Sequence, residues 1–161
     1  DGNYYIRPEF ESLDIREYRG VNAAIYGFEY EFDYELSSKS SIRGFADSIT
    51  GKNKNDNIAL PRIPPYRLGI GYYLSHNKYN FSLNAVHNGK QDRLANGEET
   101  TDAYTLLNAR LGFLPKSGSN SELYIKVNNL TNKLAYVHTS FLKESSPLPG
   151  RNVEIGYNIT F

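Results

Sequence analysis

The stretch Ala24-Ile25-Tyr26-Gly27-Phe28-Glu29-Tyr30-Glu31-Phe32-Asp33-Tyr34-Glu35-Leu36 decides the fold. Its even positions are Ala, Tyr, Phe, Tyr, Phe, Tyr and Leu, while Glu29, Glu31, Asp33 and Glu35 fill the later odd ones. A period of two sends successive side chains to opposite faces of a strand, so one face is aromatic and the other acidic. The alternation outruns both the ~5–6 residues of an ordinary globular strand and the ~9–11 that cross a bilayer at a tilt. Length therefore points to a membrane.

The pattern recurs five times. Leu68, Ile70, Tyr72 and Leu74 share a face, as do Tyr79, Phe81, Leu83 and Ala85, and then Leu107, Ala109, Leu111 and Phe113. Leu123, Ile125 and Val127 follow, and Val153, Ile155, Tyr157, Ile159 and Phe161 close the chain. Residues 40 to 51 form a weaker candidate, with Arg43, Phe45, Asp47 and Ile49 on one face, which makes seven strands. Connections at 37–40, 75–78 and 115–121 are short and polar, whereas 52–64, 90–102 and 132–151 are long. Loops sorted in this way are a feature of outer-membrane barrels, whose short turns are periplasmic. The expected fold class is all-β: an antiparallel up-and-down transmembrane β-barrel segment occupying 1–161.

Composition removes other classes. The chain has 161 residues with 18 basic and 18 acidic side chains and a net charge of zero, giving no field to attract nucleic acid. With no cysteine there are no disulfides or thiolate metal sites. Mean hydropathy is −0.57, and no apolar run reaches the roughly 18–20 residues of a helical span. No signal-peptide pattern is present, and the absence of methionine, even at position 1, leads us to expect a processed end or a piece of a longer protein. A soluble β-sandwich binding module and a small autonomous barrel remain the alternatives.

A charge at the bilayer midplane costs about 2–4 kcal/mol, so in a barrel the tyrosine and phenylalanine face must be outside. Tyr26, Tyr34, Tyr66, Tyr72 and Tyr79 lie toward strand ends, where an aromatic girdle meets the headgroups. The acidic row from Glu29 to Glu35 then lines a wetted lumen, with Arg67, Arg110 and Lys126 placed to neutralise it from neighbouring strands. Seven strands do not close: an open edge in lipid leaves backbone groups unpaired at several kcal/mol each, and Pro8 argues against an eighth strand from residues 1–12. The chain is expected to be one portion of a larger barrel.

The motifs resemble the carboxyl-terminal barrel portion of TonB-dependent outer-membrane receptors. The residues concerned are Tyr18, Ala24, Tyr26, Gly27, Glu29 and Glu31, the run Leu60 to Arg67, Gln91 to Ala95, Glu98 to Thr101, Tyr104 to Asn108, Asn128 to Asn132 and the final Phe161. His138 to Lys143, followed by Pro147 to Asn152, resembles the zinc-uptake (ZnuD-like) branch, some members of which are associated with haem. The resemblance implies a barrel of about 22 strands filled by a plug and located in the bacterial outer membrane. Its partners would be outer-membrane lipid, the remaining strands and plug, the TonB complex acting through the parent receptor, and the barrel-assembly machinery. It implies import of a scarce nutrient: a metal or a metal chelate such as zinc, haem or a siderophore. The plug, the TonB box and about fifteen strands of that pattern lie outside the sequence.

Two groups of residues are candidates for chemistry. The alternating terminus Val153, Ile155, Tyr157, Ile159 and Phe161 resembles the signal read by barrel assembly through strand addition at a sheet edge, or it is simply lipid-facing. Imidazole and carboxylate suit zinc, so His87, Asp92, Glu98 and Glu99, joined by His138 from the neighbouring loop, are candidate ligand-loop residues. The plainer reading of each is solvated loop polarity. His76 falls in a short turn and is read as incidental. No resident cofactor is expected. GxSxG, HExxH, P-loop and CxxC patterns are missing, and Ser82 and His87 have opposite parity, so an enzyme is not expected.

Overall fold

A computed structural model describes residues 20–115 and 121–159. Tyr18, the possible strand in 1–12 and Phe161 lie outside the described residues. Seven strands form one antiparallel sheet in sequence order. They are β1 (Ala23–Ser37), β2 (Ser40–Asn53), β3 (Arg67–His76), β4 (Tyr79–Asn88), β5 (Tyr104–Phe113), β6 (Ser121–Asn128) and β7 (Asn152–Ile159). The candidate at 40–51 is in fact one of the two longest strands, at 14 residues, because its ladder follows β1 almost to the end, from Ser37↔Ser40 to Ala23↔Asn53.

Register preserves the two faces across the whole sheet, since residues directly opposite share a side. Phe32 pairs with Gly44, Gly44 with Ile70, Ile70 with Ala85 and Ala85 with Leu107. Further along, Leu111 pairs with Ile125 and Ile125 with Ile155. On the opposite face stand Glu29, Glu31, Asp33, Glu35, Arg43, Asp47, Arg67, Arg110, Glu122, Lys126 and Glu154. On the apolar face, the ionisable side chains other than tyrosine are Lys52, His76 and His87, each at a strand end. Charge is sorted both by face and by depth, as a bilayer demands.

Among the described residues nothing covers the apolar face. Phe28 is 62% exposed, Ile125 40% and Ile155 73%, and Ala135 is the one buried hydrophobic residue among the described residues. These side chains do not converge into a dry interior as the two sheets of a sandwich would. Tyr34, Tyr79 and Tyr157 stand toward the short-turn end, Tyr26 and Tyr66 toward the other, and all five are exposed. Tyr72 sits further in, opposite Ile42 and Leu83. Among the described residues β1 makes no contact with β7, so both edges of the sheet are open.

Candidate functional site

The polar face is a wall of fixed cross-strand pairs. Arg67 grips Asp47 through Nε at 3.0 Å and Nη2 at 2.7 Å, and Arg110 grips Glu122 at 2.8 and 2.6 Å while also donating to Asn80 at 2.9 Å. Bidentate forks of this kind fix geometry as well as charge. The expectation that Arg67, Arg110 and Lys126 neutralise the β1 acidic row holds only for the longer-range pull between Arg67 and Glu29; the direct partner of the row is Arg43, at 2.8 Å from Asp33. Only the directly opposite strand lies within about 4.5–5.5 Å, and for β1 that strand is β2. Arg67 and Arg110 instead serve the carboxylates of β2 and β6.

Glycine lets the wall lie flat. A Cβ at Gly69 would stand 2.0 Å from the Phe45 ring and one at Gly156 would stand 2.4 Å from Tyr124, so each ring lies directly over a neighbouring backbone. The Arg110 guanidinium then lies 4.6 Å from the Tyr124 ring centroid and Arg43 lies 4.9 Å from that of Tyr73.

The three long connections all leave the same end of the sheet and interlock there. The 54–66 loop first pairs back on the free upper edge of β2, with Leu60 N donating to Gly51 O at 2.9 Å and Asn53 N to Ile58 O at 2.9 Å. Arg93 of the 89–103 loop caps the same edge, donating to the Thr50 hydroxyl. Gln91, 1% exposed, bridges to Thr101 within its loop and donates from Nε2 to Ile63 O at 2.7 Å.

Glu98 joins the three loops. Its carboxylate accepts from Arg62 N at 2.8 Å and Ala95 N at 3.1 Å, and lies 3.7 Å from His138 Nε2 and 3.9 Å from Lys143 Nζ. Lys143 also donates to Glu99 O at 2.8 Å. Arg62 adopts φ 60°, a left-handed conformation that costs a non-glycine residue of order 1–3 kcal/mol. The bond to Glu98 and the stacking of its guanidinium 3.4 Å from the Phe141 ring centroid hold it there. At the root of the last loop Asn129 is buried at φ 51°, with Nδ2 donating to Lys133 O at 2.9 Å and Pro149 O at 3.1 Å, and Oδ1 accepting from Lys133 N at 2.8 Å. Asparagine tolerates that backbone and supplies both kinds of hydrogen-bonding partner.

Of the five candidate ligand residues, Glu98 and His138 come together. His87 stands on the outward face, its Nδ1 2.9 Å from Thr105 Oγ1 and its Nε2 3.4 Å from the Tyr66 hydroxyl. Asp92 and Glu99 are exposed. Among the described residues no three His, Cys, Asp or Glu side chains converge into a group that could hold a metal ion. Val153, Ile155, Tyr157 and Ile159 all stand exposed on the apolar side of β7. Gln91, Thr101, Asn129, Arg62 and Lys143 carry the loop architecture; all five lie in the family-like runs, and the signal for their role is hydrogen bonding between loops that the sequence pattern does not display.

His138 is 3% exposed, and among the described residues its Nε2 has no hydrogen-bond partner. Burial, reinforced by the nearby Lys143 cation, lowers its pKa below the usual histidine value despite the opposing pull of Glu98.

The family model described as "TonB dependent receptor-like, beta-barrel" matches residues 9–130. Among 34 matching chains of known structure is one titled "Copper transporter OprC", with a TM-score of 0.80 and 22% identity over 88% of this chain. The chain spans 23% of that protein's length.

Proposed function

The chain belongs to the TonB-dependent receptor-like β-barrel family, and from that premise we propose that it is the closing wall of an outer-membrane receptor that imports a metal or a metal chelate. The observation that carries this reading is the single-layered sheet: an outward face with no carboxylate in any strand, an inward wall of paired charges, and two open edges. Such a sheet is stable only where hydrocarbon meets the apolar side and further strands meet the edges. The interlocked loops at the opposite end from the short turns form part of the external mouth, and the wall faces a plug. Energy comes from the TonB complex acting on the parent receptor. The role is passage, not catalysis.

The resemblance of residues 138–152 to zinc-uptake receptors and the copper title of the structural neighbour both favour a transition metal, free or chelated. The alternating side chains of β7 suit recognition by the assembly machinery at the sheet edge. The test is metal content by mass spectrometry in cells lacking the parent receptor, with and without the restored gene. Restoration is expected to raise one metal in an energy-dependent way, and the polypeptide should fractionate with the outer membrane. Unchanged metal content, or recovery in the aqueous fraction, would overturn the proposal.

A further inference from the structure

The arginines of the strands are all engaged by carboxylates: Arg43 by Asp33, Arg67 by Asp47 and Arg110 by Glu122. Two cations at the long-loop rim are not. Lys52 ends the outward row of β2, and no other outward position of the described strands holds a lysine or arginine. Its Nζ donates to Asn57 Oδ1 at 3.1 Å. Thr50, one step back on the same face, accepts from the Arg93 guanidinium, which also donates to Ile49 O at 3.4 Å. Alternate residues of a strand stand about 6–7 Å apart, so an ammonium and a guanidinium meet on one patch. Both side chains are exposed, and among the described residues neither has a carboxylate partner. Asp56 of the 54–66 loop accepts from Nδ2 of Asn53, a residue of inward parity, at 2.9 Å, and Asp92 is exposed beside Arg93 in its own loop.

Depth decides what such a patch meets. Tyr26 stands directly opposite Thr50, 62% exposed, and a phenol at a strand end marks the boundary between hydrocarbon and headgroups. Lys52 lies one step further out, at the level of lipid phosphates. At the short-turn rim the outward strand positions carry His76 and no lysine or arginine. We infer that Lys52 and Arg93 form a docking site for the phosphate of an anionic lipid of the outer leaflet, held against the outside of the barrel wall. The guanidinium fork takes two phosphate oxygens and the ammonium a third, with Thr50 fixing the fork in place. The acyl chains run down the apolar face past Phe28 and Tyr30, which follow Tyr26 on the outward row of β1. For its place in the outer membrane, the site rests on the import reading.

The probe is a glucosamine-based lipid bearing phosphates, compared with the same lipid after phosphatase treatment. Each is titrated into the complete receptor in detergent micelles, and bound lipid is counted by native mass spectrometry. The phosphorylated form is expected to bind several-fold more tightly. Lys52→Gln should weaken it by about fivefold, the scale of one basic side chain at an anionic membrane surface, and adding Arg93→Gln should weaken it by about fivefold again. Lys52→Arg, and Lys39→Gln in an exposed short turn, should leave it unchanged. Equal binding of the two lipids, an unchanged affinity in the double variant, or an equal loss in Lys39→Gln would overturn the site. Displacement of the lipid by an equal concentration of inorganic phosphate would overturn it as a lipid site. If Arg93→Gln loosens its loop, Lys52→Gln decides alone, because it leaves the contact of Arg93 with Thr50 in place. Recovery of the polypeptide in the aqueous fraction would overturn the import reading and this site together, whereas a membrane-embedded receptor without phosphate preference would overturn the site alone.

Discussion

Exchanging neighbouring side chains on β6 separates the two faces. Ile125 is 40% exposed on the apolar side between Leu111 and Ile155, and Lys126 is on the wall between Arg110 and Glu154. Ile125→Lys puts an ammonium at mid-strand, where about 2–4 kcal/mol is lost in a bilayer. This is a shift of roughly 30- to 700-fold in the folding equilibrium, at about 1.4 kcal/mol per decade. Lys126→Ile removes a charge from a wetted wall where Glu154 keeps the Tyr124 hydroxyl at 2.6 Å, and it should cost under about 1 kcal/mol. A third variant, Thr105→Lys, has the outward parity of Ile125 but stands beside His87 at the loop end of the strand, where the cost falls to about 0–1 kcal/mol. Urea titration of the complete receptor barrel in phospholipid vesicles reads all three. Equal costs for Ile125→Lys and Lys126→Ile, or no difference between Ile125→Lys and Thr105→Lys, would refute the assignment of faces and depth.

Further outcomes follow from the wall and the loops. Gly69→Val drives methyl groups into the Phe45 ring and should destabilise by about 1–3 kcal/mol, read as a lower urea midpoint with an unchanged slope. Asn129→Ala strands the Lys133 and Pro149 carbonyls and the Lys133 amide, which should cost roughly 1–3 kcal/mol and speed amide exchange across 129–151 before the strands are affected. Glu98→Ala removes the acceptor that holds Arg62 in its left-handed conformation, so trypsin should cut after Arg62 several-fold faster while the sheet stays intact.

The strands were legible because a membrane sheet shows its partition in every residue: alternation from Tyr26 to Leu36 fixes both period and face without any knowledge of tertiary contacts. Residues 40–51 read weakly because Phe45 and Ile49 point inward, the Phe45 ring lying over Gly69 of β3 instead of meeting lipid. The outward parity of His87 could be read from Leu83 and Ala85, but its place near the loops made it look like a ligand. The Glu98–His138 contact joins loops forty residues apart, and no local pattern encodes such a meeting. What local pattern there was lay in the Asn128-Asn129-Leu130-Thr131-Asn132 run, where Asn129 and Asn132 both adopt positive φ, at 51° and 54°.

The central claim is that the aromatic face touches hydrocarbon. Spin labels placed one at a time along β3, from Arg67 to His76, in the vesicle-embedded receptor test it most directly. Collision rates with oxygen, which concentrates in lipid, should peak at Leu68, Ile70, Tyr72 and Leu74, and a water-soluble nickel chelate should reach none of those four. Labels at those positions that are immobile and shielded from both reagents would place them in a protein interior and contradict the account.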